Sequence, residues 1–173
     1  MKPDELRLRY YGDPVLRQKA GNVDTFDDLL DAQADTMFEI MYENDGLGLA
    51  GNQVGLLRRL VVLDVPLGEE QRAVMVLVNP EILESTGKET AEEGCLSIPE
   101  VRDDVTRPDA IKVRARNLAG EEITFEARDL LARAIQHEVD HLYGVLFVDR
   151  LSAVKRKMIE GKLKQVAQEY AAG

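Results

Sequence analysis

Histidine and cysteine are scarce in this chain: 173 residues hold two histidines, His137 and His141, and one cysteine, Cys95. A lone cysteine excludes an intrachain disulfide, which agrees with a reducing compartment. No apolar run approaches the roughly 20 residues of a membrane-spanning helix, so no membrane association is expected. The start, "MKPDELRLRYYG", lacks the apolar stretch of a secretory signal. It also lacks the Arg- and Ser-rich, acid-poor character of a transit peptide. The expected location is the cytoplasm of a bacterial cell. Positive charge is short as well: a net charge of −10 disfavours general nucleic-acid binding. There is no internal repeat, low-complexity tract or linker. The remaining composition, 45% apolar and 31% charged, is globular, and the length fits one domain over residues 1–173.

The punctuation of the chain predicts its elements. "YGDPVLRQKA" (11–20) reads as a turn into a short helix, with Pro14 in its first turn. "TFDDLLDAQADTMFEIMYEN" (25–44) predicts a long helix with Thr25 as N-cap, acids Asp27 and Asp28 in the first turn, and a stripe of Leu30, Met37 and Met41. Glycines in "DGLGLAGNQVG" (45–55) predict a loop. Strand-like runs follow at 59–65, 73–80, 81–86, 110–117 and 121–127, the last two flanking a hairpin turn at "LAG". A helix is predicted over 128–144 with Asp129 as N-cap and Gly144 as its stop, and a final helix over 152–172 capped by Ser152. Strands grouped between helices, without βαβ alternation, predict an α+β fold: mostly antiparallel sheet around a central helix, with one helix towards each terminus.

That central helix carries "AIQHEVDHLYG" (134–144). Residues four apart lie on one helical face, so His137 and His141 can address one metal ion. Glu138 emerges about 100° around the axis from His137, beside the ion and not on it. That arrangement lets a carboxylate take a proton from a metal-activated water. With no third histidine, a third ligand must be a thiolate or a carboxylate. Cys95, in the bent segment "EEGCLSIPE" (92–100), is the foremost candidate. As a bland alternative it is a small buried hydrophobe. A Cys-His-His set leaves a position open for water, as catalysis requires; an Asp or Glu in that position would instead close a structural site.

Three stretches, "GLGLAGNQVG" (46–55), "EGCLS" (93–97) and "QHEVDH" (136–141), resemble the signature motifs of the peptide deformylases in order and spacing, and "LVNP" (77–80) fits the same pattern. The charged C-terminal helix is similar to that of the bacterial type I branch. The resemblance implies that Cys95, His137 and His141 bind the metal and that Glu138 is the catalytic acid and base. Gln53 and the backbone N–H of Leu96 would donate to the formyl oxygen, and Gly48 and Arg102 would contact substrate. It implies a hydrolase that removes the formyl group from N-formyl-methionine on nascent polypeptides and releases formate, by attack of a metal-bound water on the formyl carbon. One divalent ion is implied, Fe²⁺ in the cell with Zn²⁺ or Ni²⁺ as replacements; intrinsic affinity rises from iron to zinc and does not itself select iron.

Two positions depart from the family pattern. Gly51 stands where a second alanine is usual, which is expected to loosen the loop aiming Gln53. Arg133, with Ala134, occupies the turn before the first histidine, where the family has its methionine pocket; Arg133 is expected at the pocket rim. From Leu151 onward five bases (Lys155, Arg156, Lys157, Lys162, Lys164) face two acids, a local charge of +3 against −13 elsewhere. Such a helix is either a solvated face or, as the resemblance implies, a ribosome-docking surface with salt-sensitive affinity. The rival readings are a zinc endopeptidase, a non-enzymatic ribosome- or metal-binding module, and a structural fold with buried His and Cys.

Overall fold

Alternating apolar residues build a five-stranded antiparallel sheet in the computed structural model, which describes residues 1–171. The spatial order is β1 (Gly48–Ala50), β2 (Leu60–Pro66), β3 (Arg72–Thr86), β6 (Ala110–Arg116) and β7 (Glu122–Arg128). A separate pair, β4 (Glu89–Cys95) and β5 (Ile98–Arg107), forms a two-stranded hairpin. The helices are α1 (Asp28–Glu43), α2 (Asp129–Leu142) and α3 (Ala153–Tyr170). Among the described residues, no helix is long and apolar enough to cross a membrane.

Strand β2 explains how the layers form. Its residues "LVVLDV" are all buried because both faces are covered. Successive strand residues point to opposite faces. Val61, Leu63 and Val65 join the core beneath α2, whereas Leu60 and Val62 join the core beneath α1. The stripe predicted on α1 is that second contact: Leu30, Met37 and Met41 are fully buried. The α1 helix begins later than predicted, at Asp28, because the Asp27 carboxylate, not Thr25, accepts the Leu30 N–H at 3.0 Å.

Four other predicted boundaries shift. The runs 73–80 and 81–86 are one strand, β3, with irregular register between Val78 and Glu81 where Asn79 has φ +51° and Pro80 lacks an N–H. The supposed loop at 45–55 contains β1 and a 3₁₀ turn, Gly51–Val54, because pairing of Gly48 with Leu63 and Ala50 with Val61 overrides the local glycine content. Asp129 opens α2 with φ +53° and no capping side-chain bond; its N–H instead donates to Asp109 O at 2.9 Å. The segment at Pro14 makes only one 3₁₀ turn, Pro14–Arg17, capped by Asp13.

Gly144 does stop α2, with φ +76° and Arg17 O only 2.5 Å from where a Cβ would stand. Ser152 Oγ accepts the Lys155 N–H at 3.2 Å, as predicted for the start of α3. The predicted run of that helix to 172 passes outside the described residues.

Candidate active site

The strongly apolar side of α2 (Leu131, Ala132, Ile135, Val139, Leu142) rests on the large sheet and fixes which way the helix turns its histidines. His137 Nε2 and His141 Nε2 face each other at 3.3 Å. Cys95, at the end of β4, brings its Sγ to 3.4 Å from His141 Nε2. The three ligand atoms all lie within 4.8 Å of one another, and among the described residues this is the one such trio of metal-ligating side chains. A residue of each turn is thus aimed by α2, and the third by the tight Leu96–Ser97 turn that pairs Cys95 with Ile98.

The trio fits a cation. Two buried imidazole nitrogens at 3.3 Å cannot both point protons at each other. His137 Nδ1 lies 2.9 Å from Glu93 Oε1 and donates to that carboxylate, so Nε2, on the side of Cys95 and His141, is the ring nitrogen a cation would meet. One thiolate and two imidazoles form a donor set suited to a borderline-soft divalent ion.

A cavity of about 340 Å³ opens onto the trio and is lined, among others, by Gly48, Gln53, Cys95, Leu96, Arg102 and Glu138. His137 also reaches its wall, while His141 is fully buried behind it. Glu138 is buried, and its Oε1 has no hydrogen-bond partner. Burial pushes this carboxyl up to about 7, with His137 opposing and the Glu93 charge adding to the rise. Gly48 is glycine for a steric reason: a Cβ there would stand 2.7 Å from Glu138 Oε2. The Gln53 amide is held by both ends. Its Oε1 accepts the Ala50 N–H at 3.0 Å, and its Nε2 donates to Ser97 Oγ at 3.2 Å and faces Cys95 Sγ at 3.4 Å.

At Gly51 the backbone of that loop is closely packed. A Cβ there would meet Leu56 O at 2.5 Å and Arg58 O at 2.6 Å, so the backbone is packed closely against this position. Arg102 lies at the exposed mouth, where its Nε donates to Glu92 Oε1 at 2.7 Å.

Sequence reasoning missed Glu93, two residues before Cys95. It is buried and receives Arg107 through two bonds (2.6 and 3.0 Å), Arg133 Nη1 (2.6 Å) and His137 Nδ1 (2.9 Å). Burial alone would raise its pKa, but His137 and Arg107 outweigh burial and hold the carboxyl down to about 2. Arg107 also reaches Asp140 at 3.0 Å, and Asp140 binds Arg150. The available signal was helical spacing: Arg133 and His137 are four apart on α2 and share a face. Arg133 and Ala134 line the cavity, as expected of the turn before His137, but Arg133 is not an exposed rim residue. It is buried, and its guanidinium turns to Glu93, Val105 O and Glu89 O, away from solvent.

Against known proteins, residues 6–157 match the family model described as polypeptide deformylase. The chain is 55% identical over 145 residues to peptide deformylase 1 of Clostridium acetobutylicum, spanning 84% of this chain and 93% of that protein. A crystal structure of a plant peptide deformylase superposes with a TM-score of 0.90 at 40% identity, covering 95% of this chain and 90% of that one. A peptide deformylase from Synechococcus elongatus, solved in complex with actinonin, superposes with a TM-score of 0.83 at 44% identity, covering 95% and 86%.

Proposed function

The chain belongs to the polypeptide deformylase family, and from that premise we propose how its residues divide the hydrolysis of an N-formyl-methionyl end into formate and a free amine. The observation that carries the reading is the convergence of Cys95, His137 and His141 beside a buried carboxylate with one oxygen unpartnered.

Cys95, His137 and His141 would hold one divalent cation, Fe²⁺ in the cell, with Zn²⁺ or Ni²⁺ able to stand in. When bound, that ion supplies Lewis acidity: it acidifies water and polarises a carbonyl oxygen. Glu138 accepts the proton lost by the attacking water and returns it to the departing nitrogen. Burial raises this carboxyl and a cation held beside it would favour its ionised, proton-accepting form, so the two together suit both transfers. The Gln53 amide, oriented by Ala50 N–H, and the Leu96 N–H donate to the formyl oxygen as it gains charge. Each such donor contributes roughly 3–4 kcal/mol to lowering the barrier. Gly48, whose lack of a Cβ makes room for Glu138, meets the substrate at the cavity wall, and Arg102 meets the peptide at the mouth. Residues 1–173 act as one catalytic domain.

The partner of the site is the formylated end of a nascent chain, met in the cytoplasm. The basic residues of α3 support docking on an anionic surface such as the ribosome. Lys155 and Arg156 are tied to Asp103 and Asp149, and Lys164 lies near Glu160, so Lys157 and Lys162 are the cations best placed for it. Its affinity should fall with salt.

The deciding assay is formate release from a formyl-Met tripeptide by anaerobically prepared protein, beside an N-acetylated peptide of the same sequence. Turnover of the formyl substrate alone is expected. Internal cleavage of the acetylated peptide would move the assignment to an endopeptidase. No turnover by a metal-loaded protein would remove the catalytic reading.

A further inference from the structure

The three ligand atoms come from two elements that share no sheet. His137 and His141 ride on α2, and Cys95 ends β4, in a hairpin outside the five-stranded sheet. Beside the Gln53 contacts to Cys95 and Ser97, the spacing of the trio depends on what joins helix to hairpin. Arg133 makes that join directly. From α2 it donates Nη1 to Glu93 Oε2 (2.6 Å) and to Val105 O (2.8 Å), and Nη2 to Glu89 O (2.8 Å). The acceptors lie on both strands of the hairpin, and Glu89 and Glu93 bracket most of β4 ahead of Cys95. Glu93 then returns to α2 through His137 Nδ1 at 2.9 Å, one helical turn from Arg133. The result is a closed ring of helix, guanidinium, carboxylate and imidazole, buried throughout.

Arg107 also holds Glu93, but from within the same hairpin; it reaches α2 only through Asp140. The fork of a guanidinium is what allows three separated acceptors to be engaged at once, and an ammonium cannot copy it.

We propose that Arg133 is a positioning residue that locks the Cys95 strand over the histidine helix, so that the ligand set is assembled before the cation arrives. This rests on the reading of Cys95, His137 and His141 as a metal site. It predicts more than a loss of stability. Without the clamp, the site must organise at the moment of binding, and metal affinity falls even where the chain stays folded. Loss of a residue supporting a ligand typically costs roughly 10–100-fold in affinity.

The test compares the parent, Arg133→Met, Arg133→Lys, Cys95→Ser and Val78→Ala, the last a core truncation beneath α1 on a strand of the five-stranded sheet. Zinc affinity is measured by competition with a chromophoric chelator. In the metal-free proteins, the rate of Cys95 modification by an aromatic disulfide is measured; as the only cysteine, it reports without interference. The expected result is zinc binding about tenfold or more weaker in Arg133→Met, a smaller loss in Arg133→Lys, and faster thiol modification in both. Val78→Ala should lower the Tm and leave both readouts near the parent's. Affinity within about threefold of the parent in folded Arg133→Met would overturn the proposal, and Arg133→Lys is judged by the same limit should the methionine variant not fold. A parent that binds no more zinc than Cys95→Ser would fail the metal reading itself, and this proposal with it.

Discussion

Helix α2 has two working sides, and they are held by opposite physics. One side buries Leu131, Ala132, Ile135, Val139 and Leu142 against the sheet, a contact of methyl groups with no direction of its own. The other side faces the β4–β5 hairpin through Arg133, His137 and Asp140, and there nearly every contact is a charge-assisted hydrogen bond. The apolar side fixes where the helix lies. The ionic side fixes where its side chains point, which burial alone cannot do. A site that must hold three ligand atoms within a few ångströms uses both.

The sharpest way to separate function from support is a residue on neither side's ledger of packing. Glu138→Ala is expected to lower turnover by roughly 10²–10⁴-fold, the range of a general acid–base group. Metal content should be unchanged, since Glu138 is not among the converging donors. Elemental analysis and formate-release kinetics on the same preparation check both halves. Activity within about tenfold of the parent would end the acid–base role given to Glu138.

Glu93→Ala breaks the ionic side at its centre. It leaves Arg107 and Arg133 buried with their main charge partner gone. Breaking one partner of a buried ion pair costs about 3–5 kcal/mol, well above the cost of the same truncation at a surface pair. Urea unfolding of the metal-free protein measures it. His137 also loses the acceptor that fixes its tautomer, so zinc affinity should fall in parallel. A stability loss with unaltered zinc affinity would show that the ionic side supports the fold alone.

The two sides were unequally legible in the sequence for the same physical reason. Periodicity reveals apolar faces, so α2, the α1 stripe and the alternating β6–β7 hairpin could be read directly. The paired histidines stood out because they share one face of a helix. The β4–β5 hairpin escaped because it buries few apolar residues; only Ile98, Val101 and Val105 of β5 join the nearby core. Its inward group, Glu93, is in sequence just one of two successive acids before Gly94, indistinguishable from a solvated pair. Arg133 was placed at the pocket, but its burial escaped by the same rule, since an arginine on a helix is normally a surface residue. Strand β1 was hidden by glycines whose reason, room for Glu138 at Gly48 and close backbone packing at Gly51, exists only in three dimensions.

The mildest perturbation is the most exacting check of the contrast. Ile135 is fully buried on the apolar side of α2, two residues from His137. Ile135→Val removes one methylene and should cost about 0.5–1.5 kcal/mol. Because the sheet contact is non-directional, the helix can settle without re-aiming its other side. Zinc affinity and turnover should therefore stay at the parent's values while the Tm falls by a few degrees, about 2–4 °C per kcal/mol for a chain of this size. Chemical denaturation and chelator competition on the two proteins compare the effects. If this single methylene weakened zinc binding as much as Glu93→Ala does, orientation would be set by core packing after all, and the division of labour between the two sides of α2 would be wrong.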